Sequence, residues 1–296
     1  MEVKWIFFDA IGRLRSGWRF AVFFIAFVIA AVVTGGVGGA LINFLVPGGP
    51  NFLTSGILTL IPALLVGWLC GKYIEGLPFR ALGAWFTKRW LTHLVSGIVI
   101  GAATLALGVL IAFLLGGLRF APNTIDNGLL LKSLVLSFLV FAVGAAAEEA
   151  LFRGYIFQTF VRSRLAWLAI ALTSLFFGVI HVLNPNAGII STLNTILAGV
   201  WFGIAYLKTR DLWFVWGMHL MWNWMQGAFF GIEVSGMTNL VSTPLLREID
   251  AGPSWLTGEI YGVEAGVVTT IALIVSTVAI YYLPFLKPSE ERIIDN

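Results

Sequence analysis

The chain has 296 residues, of which 59% are hydrophobic and only 11% charged. A soluble domain carries roughly a quarter charged residues, so the composition excludes one and indicates a polytopic membrane protein. The net charge of +3 would hint weakly at nucleic acid in a soluble chain, but here its placement matters more, and no nucleic-acid partner is expected.

The opening "MEVKWIFFDAIGRLRSGWRF" mixes aromatic and basic residues. Over 1–19 it predicts an interfacial helix on an anionic membrane leaflet. A spanning helix needs about 20 apolar residues, and the first qualifying stretch is 20–46. It is too long for a cleaved signal and lacks a small-x-small site. Its "GGVGGA" at 35–40 has no following Lys-Ser/Thr, so it reads as close helix contact, not a phosphate loop. The second stretch, 52–70, ends on Cys70, the single cysteine. One cysteine excludes an internal disulfide and a Cys-x-x-Cys zinc site, and Cys70 reads as a packing residue. Further apolar stretches lie at 92–118, 129–152, 165–182, 189–207, 212–230 and 265–286. The expectation is an all-α chain: one membrane-embedded domain over 1–296, with about eight transmembrane helices in one bundle. The segment 231–264, rich in Gly, Ser, Thr and Pro, is expected to fold over the bundle outside.

Basic residues orient the bundle. With the N-terminus in the cytoplasm, Lys4, Arg13, Arg15, Arg19, Lys72, Arg80, Lys88 and Arg89 fall inside. Arg162, Arg164, Lys208, Arg210, Lys287 and Arg292 join them, and only Arg119, Lys132 and Arg247 fall outside. Both termini are thus expected in the cytoplasm, in the inner (plasma) membrane if the source is bacterial.

Ionisable residues are nearly absent from the spans. Away from the span ends, the exceptions are Glu148, Glu149 and neighbouring Arg153 on the fourth, His181 on the fifth and His219 on the seventh. His93 and Glu264 lie at span edges and read as residues reached by water or headgroups. A charge at the bilayer centre costs at least ~2.5–3.5 kcal/mol, so the cluster must form an inward-facing polar site. Residues four apart share a helix face: Arg153 can neutralise Glu149, Phe177 precedes His181, and Asn223 follows His219. Glu148 lies about 100° round from Glu149 and faces elsewhere. If the fourth and fifth spans form a hairpin, Glu148 and His181 sit at similar depth. His219 matches them only if that hairpin projects roughly 10 Å beyond the seventh span. The site would then be reached from the cytoplasmic side.

A carboxylate beside an imidazole in a partly dry pocket can take a proton from water. A second His with an amide four residues on can donate to a developing oxyanion, each donor worth ~2.7–4 kcal/mol. These parts suit hydrolysis of a carbonyl, most simply a peptide bond, by activated water. The four rings of Trp213, Trp216, Trp222 and Trp224 read as anchors and bundle contacts, or as part of a groove for an apolar chain.

"EEALFR" (148–153), "FGVIH" (177–181) and "HLMWN" (219–223) have the forms EExxxR, FxxxH and HxxxN. In that order on separate spans they resemble the CPBP family of intramembrane proteases, which groups type II CAAX prenyl endopeptidases with bacteriocin-processing and immunity proteins. The resemblance covers roughly 130–230. It implies a glutamate-dependent endopeptidase without an obligatory cofactor. Glu148 would activate water with help from His181, and His219 and Asn223 would form the oxyanion hole. Glu149, Arg153 and Phe177 would support them. Membrane lipids and a peptide or lipidated protein tail are the implied partners; nothing here fixes an oligomeric state. Three other readings of the cluster stay open: a non-catalytic immunity or scaffold protein, a zinc- or iron-dependent protease, and a proton-coupled transporter.

Overall fold

The apolar stretches are helices at the expected places in the computed structural model, which describes residues 4–288. They are α1 (Ser16–Leu45), α2 (Phe52–Glu75), α3 (Trp90–Leu114), α4 (Asn127–Arg162), α5 (Ala166–His181), α6 (Ile189–Thr209), α7 (Leu212–Trp224, continuing as a π turn over Met225–Phe229) and α8 (Val267–Tyr282). Five of them, α1 to α4 and α6, are long and apolar enough to cross a membrane, while α5 and α8 are apolar but shorter. The protein is an integral, mostly helical membrane protein.

Local chemistry sets the ends. Asn51 and Thr54 exchange side chain–backbone hydrogen bonds in a capping box that starts α2. Asp126 accepts from Gly128 and Leu129 N–H to start α4, and Asp211 accepts from Trp213 N–H to start α7. Gly76, at φ +68°, closes α2 in the left-handed conformation that glycine adopts freely.

The all-α expectation holds, with a small sheet added outside the bundle: α3 stops at Leu114, and Leu118–Pro122 forms a strand, β1. It pairs antiparallel with β2 (Leu246–Asp250), Leu118 opposite Asp250 and Pro122 opposite Leu246. The small sheet thus ties the α3–α4 turn to the 231–264 segment. Among the described residues, the helix expected over 1–19 is not continuous. Residues 1–3 lie outside the described residues, and only Lys4–Phe7 is helical before Ser16. The Asp9 carboxylate accepts from Ile11 and Arg13 N–H and turns the chain, so that Phe8 bridges back to Leu14. The turn still exposes Trp5, Ile6 and Ile11.

Close helix contact occurs elsewhere than in "GGVGGA", where Cβ atoms on Gly35, Gly36 and Gly39 would meet nothing and only Gly38 faces a neighbour, Leu58. It occurs where α3 crosses α7. A Cβ on Gly97 would lie 2.1 Å from Phe214 O, and one on Gly101 2.2 Å from Met218 O. Gly217 faces Leu94 O at 2.6 Å in return. Small residues let two membrane helices approach this closely, and the contact seats the part of α7 that carries His219.

One end of the bundle is tied by buried ion pairs. Arg19 and Arg162 share the Glu75 carboxylate. His93, read above as a span-edge residue open to water, is 1% exposed. Its Nδ1 lies 2.9 Å from Asp211 and its Nε2 3.1 Å from Lys287 O. This end carries Lys72 on the last turn of α2, and Arg80, Lys88 and Arg89 after it.

Candidate active site

Glu148 and Glu149 end the regular part of α4, and a π turn follows immediately over Ala150–Tyr155, with Gly154 out of helical geometry at ψ −122°. Wide turns of this kind re-aim side chains and cluster at functional sites. Glu149 is 1% exposed and Arg153 fully buried, their side chains 3.2 Å apart. The i, i+4 neutralisation expected from spacing is formed. Arg153 also donates to Gly199 O and lies over the rings of Phe177 and Phe202, 5.1 and 5.0 Å from their centroids. A buried guanidinium without such partners would cost several kcal/mol, on the order of 3–5.

Glu149 has a second task that spacing could not show. Its Oε1 also lies 2.8 Å from His219 Nδ1. A carboxylate oxygen accepts, so Nδ1 carries the proton, and Nε2 is turned toward Glu148, 3.7 Å from its Oε2. The ring of His219 stacks on Phe202 at 4.8 Å and meets the edge of Phe177. Glu148 is the contrasting carboxylate. Its side chain is 36% exposed, and its Oε2 makes no hydrogen bond to any described residue.

His181 is the last residue of α5. Its Nδ1 lies 2.7 Å from Phe177 O, a carbonyl that can only accept. Nδ1 is therefore the donor, and Nε2 of the neutral ring is left as an acceptor. Phe177 itself is buried, its ring 4.5 Å from that of His181.

One cavity of about 150 Å³ is lined by Glu148, His181, His219 and Asn223 together. α7 brings His219 and Asn223 to this level because α4 runs on past the start of α7. Gln158, four residues before Arg162, donates to Leu82 O, while Leu212 N–H donates to the adjoining Gly83 O. Glu149 and Arg153 lie behind the cavity, not in its lining.

The cavity lies toward the end away from the basic loops, not toward them as expected. The cavity is also lined by Phe52 at the start of α2 and by Val234, Ser235, Met237 and Leu240. These belong to the 231–264 side, opposite the end that holds Arg19, Glu75, His93 and Lys287. Among the described residues that line it, none lies on the basic loops, and His181 stands at the far end of α5.

Glu264 belongs to the site and was not singled out by its position at a span edge. It lines the cavity within electrostatic reach of His181. Its carboxylate accepts from Trp222 Nε1, Ser235 N–H and Ser235 Oγ at 3.2, 2.5 and 2.9 Å. Burial pushes its pKa above the ordinary carboxylate value, opposed by the Ser235 donors. The only sequence signal was one acid, "GVEAGVV", just before an apolar span. Of the other tryptophans on α7, Trp216 and Trp224 donate to Ala142 O and Leu134 O of α4, and Trp213 to Trp85 O. Among the described residues, no group of three or more His, Cys, Asp or Glu side chains is disposed to hold a metal ion.

Residues 130–225 match the family model described as type II CAAX prenyl endopeptidase Rce1-like. Over this stretch the chain is similar to the Rce1-like family. It contains Glu148, Glu149, Arg153, His181, His219 and Asn223, and it ends before the 231–264 segment. Comparison with curated proteins gives no match. The Rce1-like family is one of proteases, and the matched stretch supplies Glu148, His181, His219 and Asn223 to the cavity lining.

Proposed function

We propose that the protein is an intramembrane endopeptidase in which Glu148 activates a water molecule for attack on a peptide carbonyl. The observation that carries this is the division of labour between adjacent carboxylates. Glu149 is buried and its Oε1 is spent on Arg153 and His219, whereas the Glu148 side chain is partly exposed and lines the cavity, with no hydrogen bond at Oε2, which lies 3.7 Å from His219 Nε2. A water held between Glu148 and His181 Nε2 finds two acceptors. Glu148 takes one proton, and the oxygen bonds to the carbonyl carbon as the C=O electron pair moves onto its oxygen. His219, held through Nδ1 by Glu149, donates from protonated Nε2 to that oxyanion, and Asn223 donates its amide N–H. Collapse breaks the C–N bond, and Glu148 passes its proton to the leaving amine.

The substrate reading follows from the lining. Phe52, Val140, Phe141 and Leu240 give the cavity an apolar flank, which suits a lipidated or membrane-associated protein tail. Cleavage of matched peptides, one C-terminally prenylated and one not, by purified protein tests the reading. Glu148→Ala, His181→Ala and His219→Ala are each expected to abolish cleavage. Loss of activity to EDTA with recovery on zinc would replace the mechanism with a metal-dependent one. Ion-coupled uptake into liposomes without any cleavage would overturn the reading altogether.

A further inference from the structure

We propose that Glu264 is a positioning residue of this site, holding the 231–264 segment against α7 so that the segment forms one wall of the substrate cavity. The proposal rests on the peptidase reading above. Glu264 sits in a single turn, Val263–Ala265, directly before α8. Its Oε1 takes the Trp222 indole N–H from α7, and its Oε2 takes both donors of Ser235. Its backbone carbonyl accepts from Asn194 of α6 at 2.8 Å. One residue thus gathers α6, α7, the long segment and the start of α8.

The wall it holds needs holding. Ser235 has φ +51°, a conformation that a residue with a Cβ adopts rarely. Gly236 follows at φ +77°, where a Cβ would lie 2.0 Å from Pro185 O. Its N–H donates to Tyr261 O at 2.9 Å. Val234, Ser235 and Met237 on this stretch all line the cavity, as does Trp222, which adjoins Asn223 in sequence. Glutamine at 264 would set an amide N–H₂ against one of these donor groups, whereas aspartate keeps two acceptor oxygens on a shorter stem.

The test compares wild type, Glu264→Gln and Glu264→Asp in detergent by amide hydrogen exchange and peptide kinetics. In Glu264→Gln, exchange over 232–240 is expected to quicken about tenfold or more with α5 and α6 unchanged. KM should rise about tenfold with kcat held within about threefold, because wall contacts serve binding. Glu264→Asp should fall between wild type and Glu264→Gln in both. Unchanged exchange, a fall in kcat at constant KM, or equal loss of protection throughout the helices would overturn the proposal. If wild type cleaves no peptide, the peptidase reading fails, and the exchange arm alone decides whether Glu264 holds this wall.

Discussion

Glu148 and Glu149 are neighbours in sequence and opposites in surroundings, one open to the cavity and one buried against Arg153 and His219. Their substitutions should therefore fail differently. Glu148→Gln should fold normally and lower kcat by ~10³ or more. Glu149→Ala should lower stability by about 3–5 kcal/mol, because it strands a buried guanidinium, and should release His219 as well. Thermal unfolding in detergent distinguishes the two, since only the second shifts the transition. Asn223→Ala should lower turnover by ~10²–10³ with KM little changed. At this scale, the Glu149–Arg153 pair was legible because helical spacing alone makes it. The Glu149–His219 bond was not, since it joins residues far apart in the chain through a helix crossing that no periodicity encodes. Glu264 was missed because its meaning comes from Ser235 and Trp222, and a lone acid at a span edge looks the same whether water or protein surrounds it.

Among the elements, α3 and α7 meet through Gly97, Gly101 and Gly217 with backbone against backbone. Gly101→Val would drive a branched side chain into Met218 and push away the stretch of α7 that ends in Asn223. It should cost about 1–3 kcal/mol or more and lower activity with it. Gly36→Ala, in the open glycine run of α1, should alter neither. The helices were legible because apolar runs of spanning length have few alternatives in a membrane. The glycine contact was misplaced because a dense run of glycines attracts notice, while a spacing of four within an ordinary apolar helix does not. The N-terminal turn was missed because Asp9 and Gly12 redirect a segment whose amphipathic composition suits a helix equally well.

Taken whole, the molecule has a basic end tied by buried ion pairs and an opposite end carrying the 231–264 segment, toward which the cavity lies. If basic loops face the cytoplasm, the cavity belongs to the outer face. A cysteine at Ser254 in intact cells should then react with an impermeant maleimide, and one at Lys88 only after permeabilisation; the reverse pattern would place the site inward. The cavity face also carries a pH dependence. Burial, with Glu233 and Asp250 nearby, raises Glu248 of β2 to about 8. The folded state then holds a proton that the unfolded chain releases near 4.5. Its contribution is fully present below about 4.5 and is lost as pH rises through about 8. Melting temperature should fall across that window, and Glu248→Gln should flatten the fall. Depth counting along single helices placed the polar cluster at a shared level, but it could not say toward which end the cavity lies, because that depends on how Val234, Ser235 and Glu264 pack against the helices.

Isotope incorporation into the cleaved product tests the central chemistry most directly. Wild-type protein digesting a peptide in ¹⁸O-labelled water should place one labelled oxygen in the new C-terminal carboxylate, and Glu148→Gln should form that product ~10³-fold or more slowly. Labelled product formed at an undiminished rate by Glu148→Gln would contradict the account.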